Sequence, residues 1–452
     1  MDYSKMRVLV VGMARSGIAA AQLLYKLGTK EIILNDMRDR EAFSGKLDDL
    51  LALGMTDRLG MEPDSLIHGV DLIVFSSGVP FWREWIKNAR VAGIPCVNEL
   101  ELAYWVTKAD FVAITGTNGK TTTTTLVSEI FRAAGKVSHP VGNIGDPACT
   151  YAYELQEGDV AVAEVAPFQL VSTLKFHPRV SAILNITEDH LDWFQTMENY
   201  IRGKCIVFQN QTPADYCVLN YDNEITRGLC DEPKARVLFF SVSHILPEGA
   251  YVKDGQIVLS VDGNTRTLMP IKDVRIPGNH NLENALAAAL MTSLMGVADS
   301  VIAKTLRTFA GVEHRIETVA TVDGVTYIND SKGTNPDATI MAIRAMDRPT
   351  VLILGGYDKH GDFLPMFREF NQYIAHIVVL GQTQEQIVDT AKQVGYQNIT
   401  LADSLADAVQ KCRALASPGM NVLLSPACAS WDMFSDYEER GRRFKELVME
   451  LK

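Results

Sequence analysis

Short apolar runs alternate with amphipathic stretches along almost the whole chain, a pattern that predicts strands feeding helices in parallel α/β layers. RVLVVG (Arg7 to Gly12) meets a turn and then a helical pattern through Leu27, and IILND (Ile32 to Asp36) and DLIVFSSG (Asp71 to Gly78) predict further strands. Near Asn98 the segment NELELAYW begins a helix that leads into a new strand, FVAITG (Phe111 to Gly116). VAVAEVA (Val160 to Ala166) and VSAILNIT (Val180 to Thr187) continue this second unit. It then runs through a turn-rich β segment, Tyr251 to Ile276, and a helix from Asn281 to Met295. From about Val312 strand, loop and helix repeat as VTYIND, TVLILGG, HIVVLG, NITLAD and NVLLSPA. Three α/β domains are expected, spanning 1–98, 99–311 and 312–452.

Composition narrows the function. A chain of 452 residues is long enough for several domains with separate cores. The net charge of −12 and pI near 5.3 argue against a nucleic-acid footprint or an anionic membrane surface. A polyanionic substrate would then need locally concentrated cations or metal ions. The seven cysteines form no C-x-x-C pair, as expected for reduced thiols in a cytoplasmic protein. MDYSKMRVLVVGM runs into its first strand without the apolar region of a signal peptide. ALAAALMTSLMGVA (Ala285 to Ala298) is too short and too interrupted for a bilayer span, so no membrane insertion is expected.

Two glycine turns carry candidate chemistry. GMARSG (Gly12 to Gly17) fits G-x-G-x-x-G except that Ala14 replaces the second glycine, and Asp36 closes the next strand where a ribose-binding acid would sit. This turn alone leaves open an NAD-dependent dehydrogenase, a nucleotide-binding protein without turnover, or a plain strand-to-helix turn. AITGTNGKTTTTTL (Ala113 to Leu126) is more specific. The standard P-loop wants a glycine five positions before Gly119, but that position is Ile114; Gly116 is the nearest, and five threonines follow Lys120. The loop Gly116, Thr117, Asn118 and Gly119 supplies backbone N–H groups, Lys120 can reach phosphate oxygens, and Thr121 or Thr122 can offer a hydroxyl to Mg²⁺. No N-K-x-D guanine-reading motif is present, which argues against a GTPase.

With this loop and NDSKGTNPD (Asn329 to Asp337), the chain resembles the ATP-dependent Mur ligases of peptidoglycan synthesis, which share the short G-T-N-G-K-[ST] loop. NDSKGTNPD is similar to the D-glutamate-adding branch, whereas folylpolyglutamate synthases, the same-fold alternative, differ there. The resemblance covers the whole chain. It implies a Rossmann-like N-terminal domain, a central P-loop-type ATPase domain with a parallel sheet plus a small β region, and a Rossmann-like C-terminal domain. It also implies an acyl-phosphate route that joins D-glutamate to UDP-N-acetylmuramoyl-L-alanine with ATP and two Mg²⁺ ions, in a monomer.

The same resemblance assigns residues. Glu164, His190 and Lys204 would join Thr121 and Thr122 around the metals, with Lys204 carbamylated by CO₂. Helical spacing puts Lys204 on one face with Met197, Tyr200, Ile201 and Phe208, so it either snorkels to solvent or is desolvated. Asn281, Asn284, Arg315 and Asp330 would contact ATP. Arg15, Ser16, Asp36, Arg38, Ser77, Gly78 and Asn143 would hold the UDP substrate. Thr334, Lys359, Ser430 and Tyr437 would hold D-glutamate. The chain departs from relatives at Ala166-Pro167, where Ser-Ser is common, and at Trp431 and Tyr437.

Overall fold

The computed structural model describes residues 1–43, 45–189, 191–357, 362–370 and 372–452. Its chain forms two compact units, Met1–Phe309 and Ala310–Lys452. The first unit carries two sheets. One holds five parallel strands in the spatial order Thr56–Asp57, Glu31–Asn35, Arg7–Val11, Leu72–Phe75, Cys96–Asn98. Strand order reverses direction between Arg7–Val11 and Leu72–Phe75, which opens a crevice at their carboxyl ends. GMARSG sits at that crevice.

The second sheet has nine strands. Asp110–Thr115 lies between Val160–Glu164 and Val180–Ile183, all parallel. Val112, Ala113, Ile114, Val162 and Ala182 are fully buried, as parallel strands covered on both faces require. Beyond Tyr216–Asn220 and Arg236–Ser241 the sheet passes to Gly249–Lys253 and ends in an antiparallel meander, Gln256–Val261 and Asn264–Pro270. The small β region is thus an extension of the central sheet. Helix Asn279–Leu294 packs on helix Lys120–Ala133, and its alanines Ala285, Ala287, Ala288 and Ala289 are fully buried. The most apolar stretch of the sequence is therefore a core helix. Among the described residues no helix is long and apolar enough to cross a membrane.

The second unit is built on a six-stranded sheet, Glu317–Val322, Val325–Asn329, Asn421–Leu424, Thr350–Leu354, Ile374–Val379 and Ile399–Leu401 in spatial order. Only its first pair is antiparallel. Apolar cores cover both faces.

Two strands stop earlier than the apolar pattern predicts. DLIVFSSG leaves the sheet after Phe75, and VSAILNIT after Ile183. In each case the residues beyond the strand are spent on loop contacts instead. Ser138–Gly142 escaped sequence reading because Pro140 interrupts it; it is an edge strand, where a missing N–H is tolerated.

Candidate active site

The phosphate loop lies at the carboxyl end of Asp110–Thr115 and opens helix Lys120–Ala133. Gly119 caps that helix at φ +82, and a Cβ there would run into Asn284 Oδ1. The helix has no side-chain N-cap, so its first N–H groups remain available to an anion. Lys120 folds over the loop, its Nζ donating to the carbonyls of Gly116 (2.9 Å) and Thr117 (2.8 Å). The segment after Val180–Ile183 holds the loop from the side. Asn185 Oδ1 accepts the N–H of Asn118 (2.8 Å), its Nδ2 donates to Asn118 O (3.1 Å), and its own carbonyl accepts the N–H of Thr117 (2.9 Å). Asn284 accepts from the Thr123 hydroxyl and donates to Asn281, whose own amide donates to the Pro277 carbonyl.

Glu164 ends the neighbouring strand and is 3% exposed. Its Oε2 accepts from the Thr121 hydroxyl at 2.8 Å, and its Oε1 from the Asn143 amide at 3.0 Å. A carboxylate and a hydroxyl both expected around the metals thus stand side by side, and Thr122, which follows, is half-buried. Asn143, expected on the UDP substrate, is here a partner of Glu164. The helix that follows starts at Ala166-Pro167, without a side-chain hydroxyl. Pro167 at its first position needs no N–H partner, and Gln169 Oε1 accepts the N–H of Ala166 at 3.0 Å. Alanine has no side-chain oxygen, so this is half of a capping box, and it suffices to hold the turn.

Lys204 lies on helix Met197–Cys205 and is fully buried, which decides between the two fates its helical face allowed. Its Nζ stands 4.3 Å from the centre of the Tyr200 ring and has no hydrogen-bond partner among the described residues. Burial, and next the like charge of Lys120, pushes its pKa well below the ordinary lysine value. The Tyr200 hydroxyl lies 3.3 Å from Thr117 Oγ1, so the lysine and the phosphate loop share a neighbour. His190 and Lys359 lie outside the described residues.

At the first sheet, Gly12 turns at φ +90, and a Cβ on it would come within 2.8 Å of Ser76 Cβ. The Asp36 carboxylate accepts the Met13 N–H (2.8 Å) and pairs twice with Arg38 at 3.0 Å. Ser16 shares a hydroxyl contact with Ser76 (2.7 Å), while Arg15 reaches the Gly145 carbonyl and pairs with Asp146 at 3.5 Å. Ser77 accepts from Gln169 Nε2 at 3.4 Å, and a side chain added at Gly78 would meet nothing within 4 Å.

In the second unit Asp330 is fully buried. Its Oδ2 accepts from Ser425 at 2.7 Å, and Arg315 Nε lies 4.0 Å from its Oδ1. Burial raises its pKa to about 6 against the pull of Arg315 and Ser425. Arg440, unremarked in the sequence, is 1% exposed and donates to Ser331 Oγ and to the carbonyls of Ser331, Cys428 and Ala429. It thereby brings the DSKGTN turn, with Thr334, to the segment carrying Ser430. Tyr437 joins them, its carbonyl accepting from Ser331 Oγ (2.8 Å) and its ring 5.7 Å from Lys332 Nζ. Trp431 is 60% exposed and packs on Tyr357. Asn185, Gln169 and Arg440 were missed because nothing in their local pattern marks them, although Asn185 lies just beyond a strand end, where loop contacts are made.

A short phosphate loop and a buried carboxylate at the ends of adjoining parallel strands, with a buried lysine on a helix that shares a neighbour with the loop, define a nucleotide-using α/β enzyme. Comparison with known proteins narrows this class. Residues 114–292 match the Mur ligase middle domain, and residues 314–428 match the Mur ligase, glutamate ligase domain. The UDP-N-acetylmuramoylalanine--D-glutamate ligase of Thermoanaerobacter pseudethanolicus is 46% identical over 454 residues, covering 100% of both chains. That of Pelotomaculum thermopropionicum is 47% identical over 451 residues, covering 100% of this chain and 99% of its own. Among solved structures, UDP-N-acetylmuramate-alanine ligase MurC from Thermotoga maritima shares the fold with a TM-score of 0.60 at 19% identity, over 99% of this chain and 100% of that one. The chain belongs to the Mur ligase family and is a ligase.

Proposed function

We propose that the protein joins D-glutamate to UDP-N-acetylmuramoyl-L-alanine with ATP, in cytoplasmic peptidoglycan precursor synthesis. The observation that carries this is the juxtaposition of Lys120, Thr121, Glu164 and buried Lys204 at one end of the central sheet, in a chain matched end to end by ligases of that name. In the proposed sequence the alanine carboxylate attacks the γ-phosphorus and ADP leaves. The amine of D-glutamate then attacks the acyl-phosphate carbonyl and gives up a proton to solvent, and phosphate leaves with its bonding electron pair. Lys120 and the loop N–H groups hold the phosphates against the approaching carboxylate. Residues 1–98 would bind the UDP part, 99–311 the nucleotide, and 312–452 D-glutamate through Thr334, Ser430 and Tyr437.

The donors near Glu164 are hard oxygens, which fit Mg²⁺. Hydroxyls from Thr121 and Thr122 would share the ligation with Glu164. Bound Mg²⁺ supplies charge neutralisation between phosphates and carboxylate. An unpartnered amine at Lys204, whose charged form burial disfavours, suits carbamylation, in which Nζ attacks CO₂, loses a proton and becomes an anionic ligand.

ADP release measured against a panel of UDP-muramoyl acceptors with D- and L-amino acids tests the assignment. Stimulation by L-glutamate with a folate, and none by D-glutamate, rejects it in favour of a folylpolyglutamate synthase. Lys204→Ala is expected to lose turnover by on the order of 10²- to 10³-fold while keeping ATP binding, with partial rescue by short-chain carboxylates. Wild-type turnover in that variant removes Lys204 from the chemistry.

A further inference from the structure

At the amino end of the central sheet, a strand's length from the phosphate loop, lies a cavity of about 510 Å³. Among its lining residues, Phe111 belongs to the strand that runs to the phosphate loop, Arg179 directly precedes Val180–Ile183, and Asp215 directly precedes Tyr216–Asn220. Two buried carboxylates fix the walls. Asp215, 2% exposed, pairs with His177 Nε2 at 2.6 Å and Arg179 Nη1 at 3.2 Å. It also accepts from the Thr212 N–H (2.7 Å) and hydroxyl (2.8 Å). Glu101, fully buried, accepts from the Trp105 indole N–H at 2.6 Å and from the N–H groups of Leu174, Lys175 and Phe176. Asn210 and Gln211 donate to the carbonyls of Leu174, Phe176 and Pro178 in the same segment. The indole and the guanidinium are thus held in place in the free protein, so a ligand would order little on binding.

From these walls we infer that the cavity binds a small aromatic carboxylate, its ring against Trp105 and Tyr104 and its carboxylate on Arg179. Arg179 meets Asp215 through Nη1 alone, which leaves Nε and Nη2 without a partner among the described residues. Those two nitrogens share one edge of the guanidinium and form a planar two-donor fork that matches the two oxygens of a carboxylate. The opposite wall is aromatic: Tyr104 stands edge to face with Phe176 at 5.8 Å and tilted against Phe111 at 6.2 Å. An apolar wall with one convergent charged group in this volume is the make-up of a small-molecule site. The exposed carboxylate of Asp110 also lines the cavity, so a single negative charge is favoured over a polyphosphate.

Tying the starts of two strands together accounts for Asp215 and for the nitrogens it holds, but not for the open fork or the aromatic wall facing it. The cavity and the phosphate loop lie at opposite ends of one strand, so both can be occupied at once. The inference is independent of which acceptor and amino acid the ligase joins.

NMR titration of the full-length protein with phenylacetate, acetate and benzyl alcohol, with and without saturating ATP, tests the inference. A crystal soaked with iodophenylacetate then locates the iodine. Phenylacetate is expected to bind about 10-fold or more tightly than acetate, which lacks the ring, or benzyl alcohol, which lacks the charge, and equally well with ATP present. Arg179→Gln removes the charge and the fork, whereas Arg179→Lys keeps a cation for Asp215 and removes only the fork. Each is expected to weaken phenylacetate about 10-fold or more and leave ATP binding unchanged, with thermal unfolding as the folding control. No saturable phenylacetate binding by wild type, equal binding of the three compounds, displacement by ATP, unchanged affinity in Arg179→Lys, or iodine only outside the cavity each overturns it. Should neither variant fold, the wild-type series and the iodine position decide.

Discussion

At Gly12 and at Gly119 a buried parallel strand gives way to a helix through a glycine at positive φ, and neither helix has a side-chain N-cap. The two turns share a backbone but differ in what covers their N–H groups. At the first, the Asp36 carboxylate already accepts from Met13, so that N–H is occupied by negative charge. At the second, a neutral amide from Asn185 holds the loop, Lys120 folds over it, and the Glu164 carboxylate accepts from the Thr121 hydroxyl. The first turn has one N–H already taken by a carboxylate that Arg38 pairs, whereas the second keeps its helix-start N–H groups and Lys120 for a phosphate. The glycine pattern therefore locates two helix-start anion slots, and the flanking side chains set how much of each is left open to a ligand. Ala14 is accommodated at the first turn because it serves as the helix N-cap in extended conformation, where no φ penalty arises.

Removing Lys120 should break this contrast hardest. Lys120→Ala is expected to lower turnover by on the order of 10³-fold, because a positioned cation at developing phosphate charge is lost. Steady-state ADP release checks it, and a loss of under tenfold would mean that the loop works without its lysine. Asn185→Ala strips partners from both backbone groups of Asn118 and is expected to cost about 1–3 kcal/mol of loop order. ATP affinity should fall roughly 10-fold or more with acceptor affinity preserved, as read by separate titrations. A general loss of both affinities would make Asn185 a folding residue only.

The smallest effect belongs to the first turn. Burial raises the Asp36 pKa, but hydrogen bonds from Arg38 and Met13 outweigh it and leave the group below its ordinary value. A depressed folded-state pKa stabilises the fold above the unfolded value, about 3.9, and the contribution is lost as pH falls through the folded value. Arg38 is largely exposed, so the pair contributes roughly 0.5–1 kcal/mol. Asp36→Asn should therefore unfold at slightly lower temperature near neutrality, with the difference vanishing in acid. An equal difference at every pH would assign the effect to packing.

The parallel sheets and both glycine turns were legible because buried strands read as apolar runs and turns need particular residues. Lys204 was legible as a position on an apolar face, but its fate was not, since snorkelling and desolvation share one periodicity. Asn185, Gln169 and Arg440 were illegible for a different reason. Their partners lie far away in sequence: Arg440 to Ser331 spans 109 residues, and Gln169 to Ser77 spans 92. Asp36 was legible by its place at a strand end, but its contacts with Met13 and Arg38 were not. The edge strand at Pro140 was lost because local propensity speaks against strand where tertiary placement permits it.

Gln169 has its side-chain oxygen on the turn just beyond Glu164, its amide nitrogen on Ser77 in the first sheet, and its carbonyl on Asn98 at 2.6 Å. One residue is thus a shared terminal for two binding regions. A ligand group that draws the amide away from Ser77 changes the free energy of the turn behind Glu164 as well. Thermodynamic linkage makes that effect reciprocal: whatever factor acceptor binding adds to nucleotide affinity along this route, nucleotide binding returns to the acceptor.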